Sequence, residues 1–348
     1  MTHDKHVRVQ TRGTLPPAEV PRRVASEFGL ARADRLKGGI GYIDLVGFPP
    51  PELFRPSADK AMALVADSRA LIIDLRHNGG GSPASVAYLV SFFVSGDKPV
   101  HVNDVVRRQA GTETFTTESF FSSPTPTKYL GRPVYLLTSG DTFSGGEEFA
   151  YDLQALKRAT VVGSTTGGGA NPGGGVGIGS GLILNVPSGR AENPITKTNW
   201  EGKGVAPDVS VPADQALATA LGLLGQPKVA AVDAASEQGL FKPRTTPPPG
   251  AKEALTRIID EVVRGAPDYG RMSEPLARAT RQQLPDLRQT FILQGALKTV
   301  AFVNVDPAGA DVYDAIFEQG VMRWTIAVAP DGKVLMAGFR PIGSAPRP

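Results

Sequence analysis

One serine stands where a hydroxyl could act as a nucleophile. In Thr138-Ser139-Gly140-Asp141-Thr142-Phe143-Ser144-Gly145-Gly146-Glu147-Glu148 an apolar run of strand length ends, a short turn follows, and a helical pattern begins directly after Ser144. The first N–H groups of a helix have no intrahelical partner, and the helix dipole favours negative charge there. A serine so placed could form an acyl adduct while neighbouring N–H groups bind the developing oxyanion. Gly145 and Gly146 would let a carbonyl come close to the backbone. The same residues also read as an ordinary helix cap, because Ser144 and Glu147 have capping-box spacing. The segment alone leaves both readings open.

A serine hydroxyl needs a base within about 3 Å. The chain offers four histidines, His3, His6, His77 and His101, and each is a candidate on residue type. His77 opens the loop His77-Asn78-Gly79-Gly80-Gly81, which follows the apolar run 70–76. Such a loop can aim N–H groups at an oxyanion or cradle a phosphate. No Lys-Ser/Thr follows it and no GxGxxG spacing occurs, which excludes a Walker loop and a dinucleotide fingerprint. A second glycine-rich stretch, 165–175, reads as a mobile loop or as a lid or substrate-binding edge.

The elements that must position these residues alternate. Apolar runs at 40–48, 70–76, 132–140 and 160–165 have strand length and suit buried parallel strands. Helical spacing is seen at 56–68, 82–94 and 142–159. Residues 105–118 read as a polar hairpin, 181–191 as a further hairpin arm, and 207–224 as a strand followed by a helix. This rhythm predicts an α/β fold. Upstream, 5–11 alternates as a short half-buried strand, and Pro16, Pro17 and Pro21 break the segment 1–37. Proline and small residues at 226–250 predict a linker. Beyond it, 251–290 reads as helices and 297–341 as antiparallel strands joined by turn-forming residues, a small α+β domain spanning 251–348.

Composition narrows the function. The net charge of +3 and pI near 9.0 come from scattered basic residues without interleaved aromatics, against nucleic-acid binding. There is no cysteine, which excludes disulfides and a thiolate nucleophile. No run approaches the ~18 apolar residues of a spanning helix, and the N-terminus lacks an apolar signal region. No metal-ligand spacing occurs, and acyl transfer by serine implies no cofactor.

Taken in order, 4–9, 38–48, 70–82, 133–174 and 190–212 resemble the tail-specific or C-terminal-processing serine proteases of peptidase family S41. The branch most similar holds the retinoid-binding-protein repeats and the tricorn core. The resemblance implies a crotonase/ClpP-like α/β core at 38–225, with a mostly parallel twisted sheet. It places Ser144 on the nucleophile, His6 on the base and Glu201 on the acid that supports it. The oxyanion hole falls on the Gly145 N–H with that of Gly80 or Gly81, and Gly168, Gly169 and Asn171 fall on the substrate loop. The family's Ser–Lys branch carries a lysine in that loop. Here the loop reads Gly167-Gly168-Gly169-Ala170-Asn171, so a histidine mechanism is expected.

Only about 30 residues separate His6 from Gly39, too few for a PDZ domain. The resemblance implies a helical N-terminal domain ahead of His6, so residues 1–37 are expected to be its remnant, carrying the base. The expected function is a serine peptidase acting near C-termini or on unfolded peptides, with a peptide or protein substrate and no metal. A non-catalytic binding protein for an apolar ligand or a peptide, or a truncated inactive homologue, is the alternative. The location would be periplasmic or secreted if a missing N-terminus carries a signal, and cytoplasmic otherwise. The sequence leaves the oligomeric state open.

Overall fold

The computed structural model describes residues 28–109, 111–177, 183–226, 245–306, 309–329 and 331–344. The expected strand at 5–11, His3, His6 and most of the expected linker lie outside them.

A six-stranded sheet forms the frame. Its strands are β1 (Leu30–Leu36), β2 (Ile40–Leu45), β3 (Ala70–Asp74), β6 (Val134–Thr138), β7 (Thr160–Gly163) and β11 (Val209–Ser210), in that spatial order. β1 runs antiparallel to β2, and every other pair is parallel. Every residue of β2 and β3 is buried, as expected for strands covered on both faces. The sequence reading missed β1. Its stretch, Leu30-Ala31-Arg32-Ala33-Asp34-Arg35-Leu36, has charged residues at three of seven positions, and its place at the sheet edge tolerates them.

Helices α1 (Pro51–Val65), α2 (Pro83–Val90), α3 (Gly145–Ala155) and α4 (Ala216–Leu223) flank the sheet. α1 starts five residues before the expected 56–68 segment, and Pro56 lies inside it. α2 ends at Val90 and continues as a 3-10 turn over Ser91–Phe93. Aromatic rings lock α3 in place. Phe149 lies 5.7 Å from Phe48 and 6.1 Å from Phe93, centroid to centroid. Phe149 is fully buried, so truncating it to alanine removes about 3–5 kcal/mol.

A three-stranded antiparallel sheet is made by β4 (His101–Arg108), β5 (Phe115–Phe121) and β10 (Gly189–Glu192), with β4 central. The expected 105–118 hairpin is its β4–β5 part. A two-stranded ribbon pairs β8 (Gly173–Gly177) with β9 (Ile183–Pro187). β8 falls in the stretch read as a loop. Glycine has low strand propensity, so the pairing with β9 and not local preference makes this strand.

The C-terminal part packs α5 (Ala251–Arg264) and α6 (Glu274–Gln294) on a meander of β12 (Leu297–Val305), β13 (Asp311–Phe317), β14 (Gly320–Val328) and β15 (Val334–Ser344). One face of α5, with Leu255, Ile258, Ile259 and Val262, is buried against this sheet. The molecule is thus an α/β core with a mostly parallel sheet and an α+β C-terminal part.

Candidate active site

The parallel strands deliver two loops to the same edge of the sheet. β3 leads into 75–82, and β6 leads through 139–143 into α3. Their backbones are laced together. The Thr142 hydroxyl donates to the Leu75 carbonyl at 2.8 Å, and the Ser139 hydroxyl to that of Arg76 at 2.5 Å. The Phe143 N–H donates to the Asn78 carbonyl at 2.9 Å.

Asp74 anchors the first loop from below. Arg76 donates to it through Nε at 2.9 Å and Nη2 at 2.7 Å, and the Tyr42 hydroxyl donates at 2.7 Å. Full burial works against ionisation of Asp74. The Arg76 hydrogen bonds and charge, joined by Tyr42, outweigh it and hold the carboxyl below the ordinary aspartate range.

Ser144 sits at the N-terminus of α3 with φ 51° and ψ −120°. A positive φ is uncommon for a residue with a Cβ, and such strain persists only where the surroundings impose it. Here the surroundings are glycine. A Cβ on Gly80 would lie 2.6 Å from the Ser144 Cβ, and one on Gly145 would lie 3.0 Å from the Gly81 nitrogen. The two segments approach so closely only because Gly80 and Gly145 carry no side chain.

The N–H groups around Ser144 divide into used and unused. Gly80 donates to the Asn78 side-chain oxygen at 2.9 Å, and Asn78 is itself pinned by donating to the Leu45 carbonyl at 3.0 Å. Ser144 donates its own N–H to Glu147 at 2.8 Å. Among the described residues, nothing accepts the N–H of Gly81 or of Gly145. Of the two glycines expected as alternatives for the oxyanion role, Gly80 has its N–H occupied, and Gly81 has no acceptor among the described residues.

Glu147 is the hub of the site, and the sequence reading saw it only as a cap. Besides the Ser144 N–H, its carboxyl accepts the Thr166 hydroxyl at 2.6 Å and the N–H groups of Gly168 at 2.6 Å and Gly169 at 2.8 Å. Thr166 in turn accepts the Val205 N–H at 2.7 Å. One buried side chain therefore fixes the turn at Ser144 and the glycine-rich loop to each other. The signal for it was the Ser-x-x-Glu spacing; its other partners lie 19–22 residues away along the chain.

Glu201 is exposed and holds the far end of the same loop. Its Oε2 accepts the N–H groups of Ala170 at 2.7 Å and Asn171 at 2.9 Å. The structure so brings Ser144, Gly80, Gly81, Gly145, Gly168 and Gly169 together, and ties Glu201 to the loop at Asn171. His6 lies outside the described residues. His77 is exposed, and His101 lies on β4, where it pairs with Asp104 at 2.8 Å.

A second polar group, also missed from the sequence, lies along α3 behind the site. Glu148 and Asp152 are buried with Asn103 of β4 and Asn193 after β10. Asn193 donates to Asp152 at 2.9 Å. The Asn103 amide faces the Glu148 carboxyl without an aligned hydrogen bond. Burial pushes Glu148 up to about 8 against the opposing influence of Asn103. Burial and then the Glu148 charge push Asp152 well above the aspartate range.

Among the described residues no group of three or more His, Cys, Asp or Glu side chains is placed to hold a metal ion. No described helix is long and apolar enough to cross a membrane.

Known proteins give this arrangement its context. Solved chains similar in part include one from Parabacteroides merdae ATCC 43184 described as a peptidase, at 25% identity and TM-score 0.47, matched over 57% of this chain and 65% of that one. Another, from Bacteroides fragilis NCTC 9343 and described as an S41 protease, shows 17% identity and TM-score 0.48 over 57% and 58%. The photosystem II D1 C-terminal processing protease shows 19% identity and TM-score 0.42 over 60% and 52%. This chain therefore spans less than two thirds of the length of each. The family model for peptidase family S41 matches residues 39–211, which hold the laced loops, Ser144, Glu147 and Glu201. Through that segment, the chain belongs to peptidase family S41.

Proposed function

We propose that the chain is a serine peptidase in which Ser144 attacks a peptide carbonyl. The observation that carries this reading is the strained serine at a helix N-terminus, flanked by two N–H groups with no partner among the described residues. His6 takes the Ser144 proton and returns it to the leaving amine, as a titratable imidazole can near neutral pH. The Gly81 and Gly145 N–H groups stabilise the oxyanion of the tetrahedral intermediate. Water, activated by the same imidazole, then hydrolyses the acyl-enzyme ester.

Glu201, whose Oε2 receives the Ala170 and Asn171 N–H groups, is the acid that supports His6. Gly168, Gly169 and Asn171 form the edge along which an extended substrate lies. The substrate is a peptide or an unfolded protein, cut near a C-terminus. Residues 38–225 form the protease domain, and 251–348 a separate domain beyond a linker.

Labelling with a fluorophosphonate probe tests the assignment. The adduct is expected on Ser144, lost in Ser144→Ala and slowed about 10⁴-fold in His6→Gln. A folded protein that leaves Ser144 unmodified would be a binding protein and not a hydrolase.

A further inference from the structure

Phe143, the residue before Ser144, is 37% exposed. Its ring is nevertheless fixed on one side. A Cβ on Gly169 would lie 2.1 Å from the ring Cζ, and one on Gly167 would lie 2.7 Å from Cδ2. Both separations are far inside van der Waals contact, so the ring occupies space that only glycine leaves open.

The loop behind the ring is itself anchored. Gly168 and Gly169 donate to Glu147, which also holds the Ser144 N–H. Gly167 donates to the Thr142 carbonyl at 3.0 Å. The Phe143 backbone is held at both ends, by its own N–H on the Asn78 carbonyl and by the Gly146 N–H on its carbonyl, each at 2.9 Å. Phe143 is thereby held one residue from Ser144 and packed on the glycine loop, with more than a third of the residue open to solvent.

Resting on the peptidase reading above, we propose that Phe143 is a specificity-determining residue whose open ring face receives an apolar side chain adjoining the scissile bond. Leu, Phe, Met or Ile at that position buries apolar area against a wall whose ordering is already complete, so no loop must be fixed on binding. Asp or Glu there would lose hydration against a ring that offers no partner. Lys or Arg would gain only a partly solvated cation–π contact.

The test is cleavage of a randomised peptide library by the full chain, with the residues on both sides of each cut read by mass spectrometry. Apolar residues are expected at one position adjoining the cut, enriched about 10-fold to 200-fold over charged ones. Phe143→Ala should remove that enrichment, leave preferences at distant positions unchanged and leave Ser144 open to a fluorophosphonate. Should Phe143→Ala lose labelling, Phe143→Leu and Phe143→Trp take its place, the first lowering the enrichment and the second keeping it. The proposal is overturned by a wild-type profile without apolar enrichment beside the cut, by a preference there for charged residues, or by variants that keep the wild-type profile. It also falls if Ser144 is labelled while no peptide is cut. Absence of both labelling and cleavage overturns the peptidase reading itself and this proposal with it.

Discussion

Glu147 and Glu148 are adjacent buried acids on the first turn of α3, and their surroundings differ in kind. Glu147 accepts four hydrogen bonds, from Ser144, Thr166, Gly168 and Gly169. Glu148 faces Asn103 without an aligned bond, and its Oε1 has no partner among the described residues. Successive residues on a helix point about 100° apart, so one acid reaches the turn at Ser144 and the other the space beneath the three-stranded sheet. Buried acids are therefore not one class. Glu147 joins two loops because donors converge on it, whereas burial pushes Glu148 up to about 8 because they do not.

The largest effect should come from Glu147→Ala. Four donors lose their acceptor in a buried place, which should lower stability by about 3–5 kcal/mol in denaturant titrations. Labelling of Ser144 should fall by at least about 100-fold, since the turn and the glycine loop lose their common anchor. A variant that labels as fast as wild type would break the contrast, by making Glu147 as dispensable to the site as Glu148.

The next effect depends on pH. Glu148 is raised from about 4.5 to about 8, so between those values the folded protein retains a proton that the unfolded chain has released. The unfolded state then binds fewer protons, and stability falls as pH rises, by up to about 1.4 kcal/mol per unit from this group. Asp152, also raised, adds a fall of the same sign. Glu148→Gln should remove the Glu148 share, leaving the variant close to wild type near pH 4 and more stable than wild type near pH 8. Thermal unfolding across that range checks it, and parallel curves for the two proteins would defeat the assignment of Glu148 as a buried acid.

The smallest effect sets the baseline for the same helix. Tyr151 donates an exposed hydrogen bond to Thr196 at 2.9 Å. Tyr151→Phe should cost less than about 1 kcal/mol, with no change in pH slope. A larger loss would mean that the Trp200 ring, 5.4 Å away, depends on that hydroxyl, and would blur the distinction between α3's solvent-facing side and its buried one.

Much of the frame could be read in advance, for local reasons. β2, β3, β6 and β7 are short apolar runs, and the hairpins and the C-terminal meander carry turn residues at their junctions. What failed was local as well. β1 has an edge strand's mixed pattern, and β8 is nearly all glycine, so neither carries a strand signal without its partner. In the site, the turn at Ser144 and the glycine loops were recognisable by residue type. Glu147 was visible only as a cap, because its bonds to Thr166, Gly168 and Gly169 join segments 19–22 residues apart. Glu148 and Asp152 have ordinary i, i+4 spacing on a helix, which says nothing about whether water reaches them.

The sequence by itself determined the order of the buried parallel strands and the place of the turn at Ser144, because periodicity, capping and turn chemistry are settled within a few neighbouring residues. The tertiary structure alone decided that Asn78 occupies the Gly80 N–H and that Gly81 keeps its own. It also decided that Glu147 accepts bonds from two separate loops, and that Glu148 and Asp152 are shut away from solvent. Hydrogen-bond pairing and desolvation depend on which groups arrive from elsewhere in the chain, and residue type alone does not carry that information.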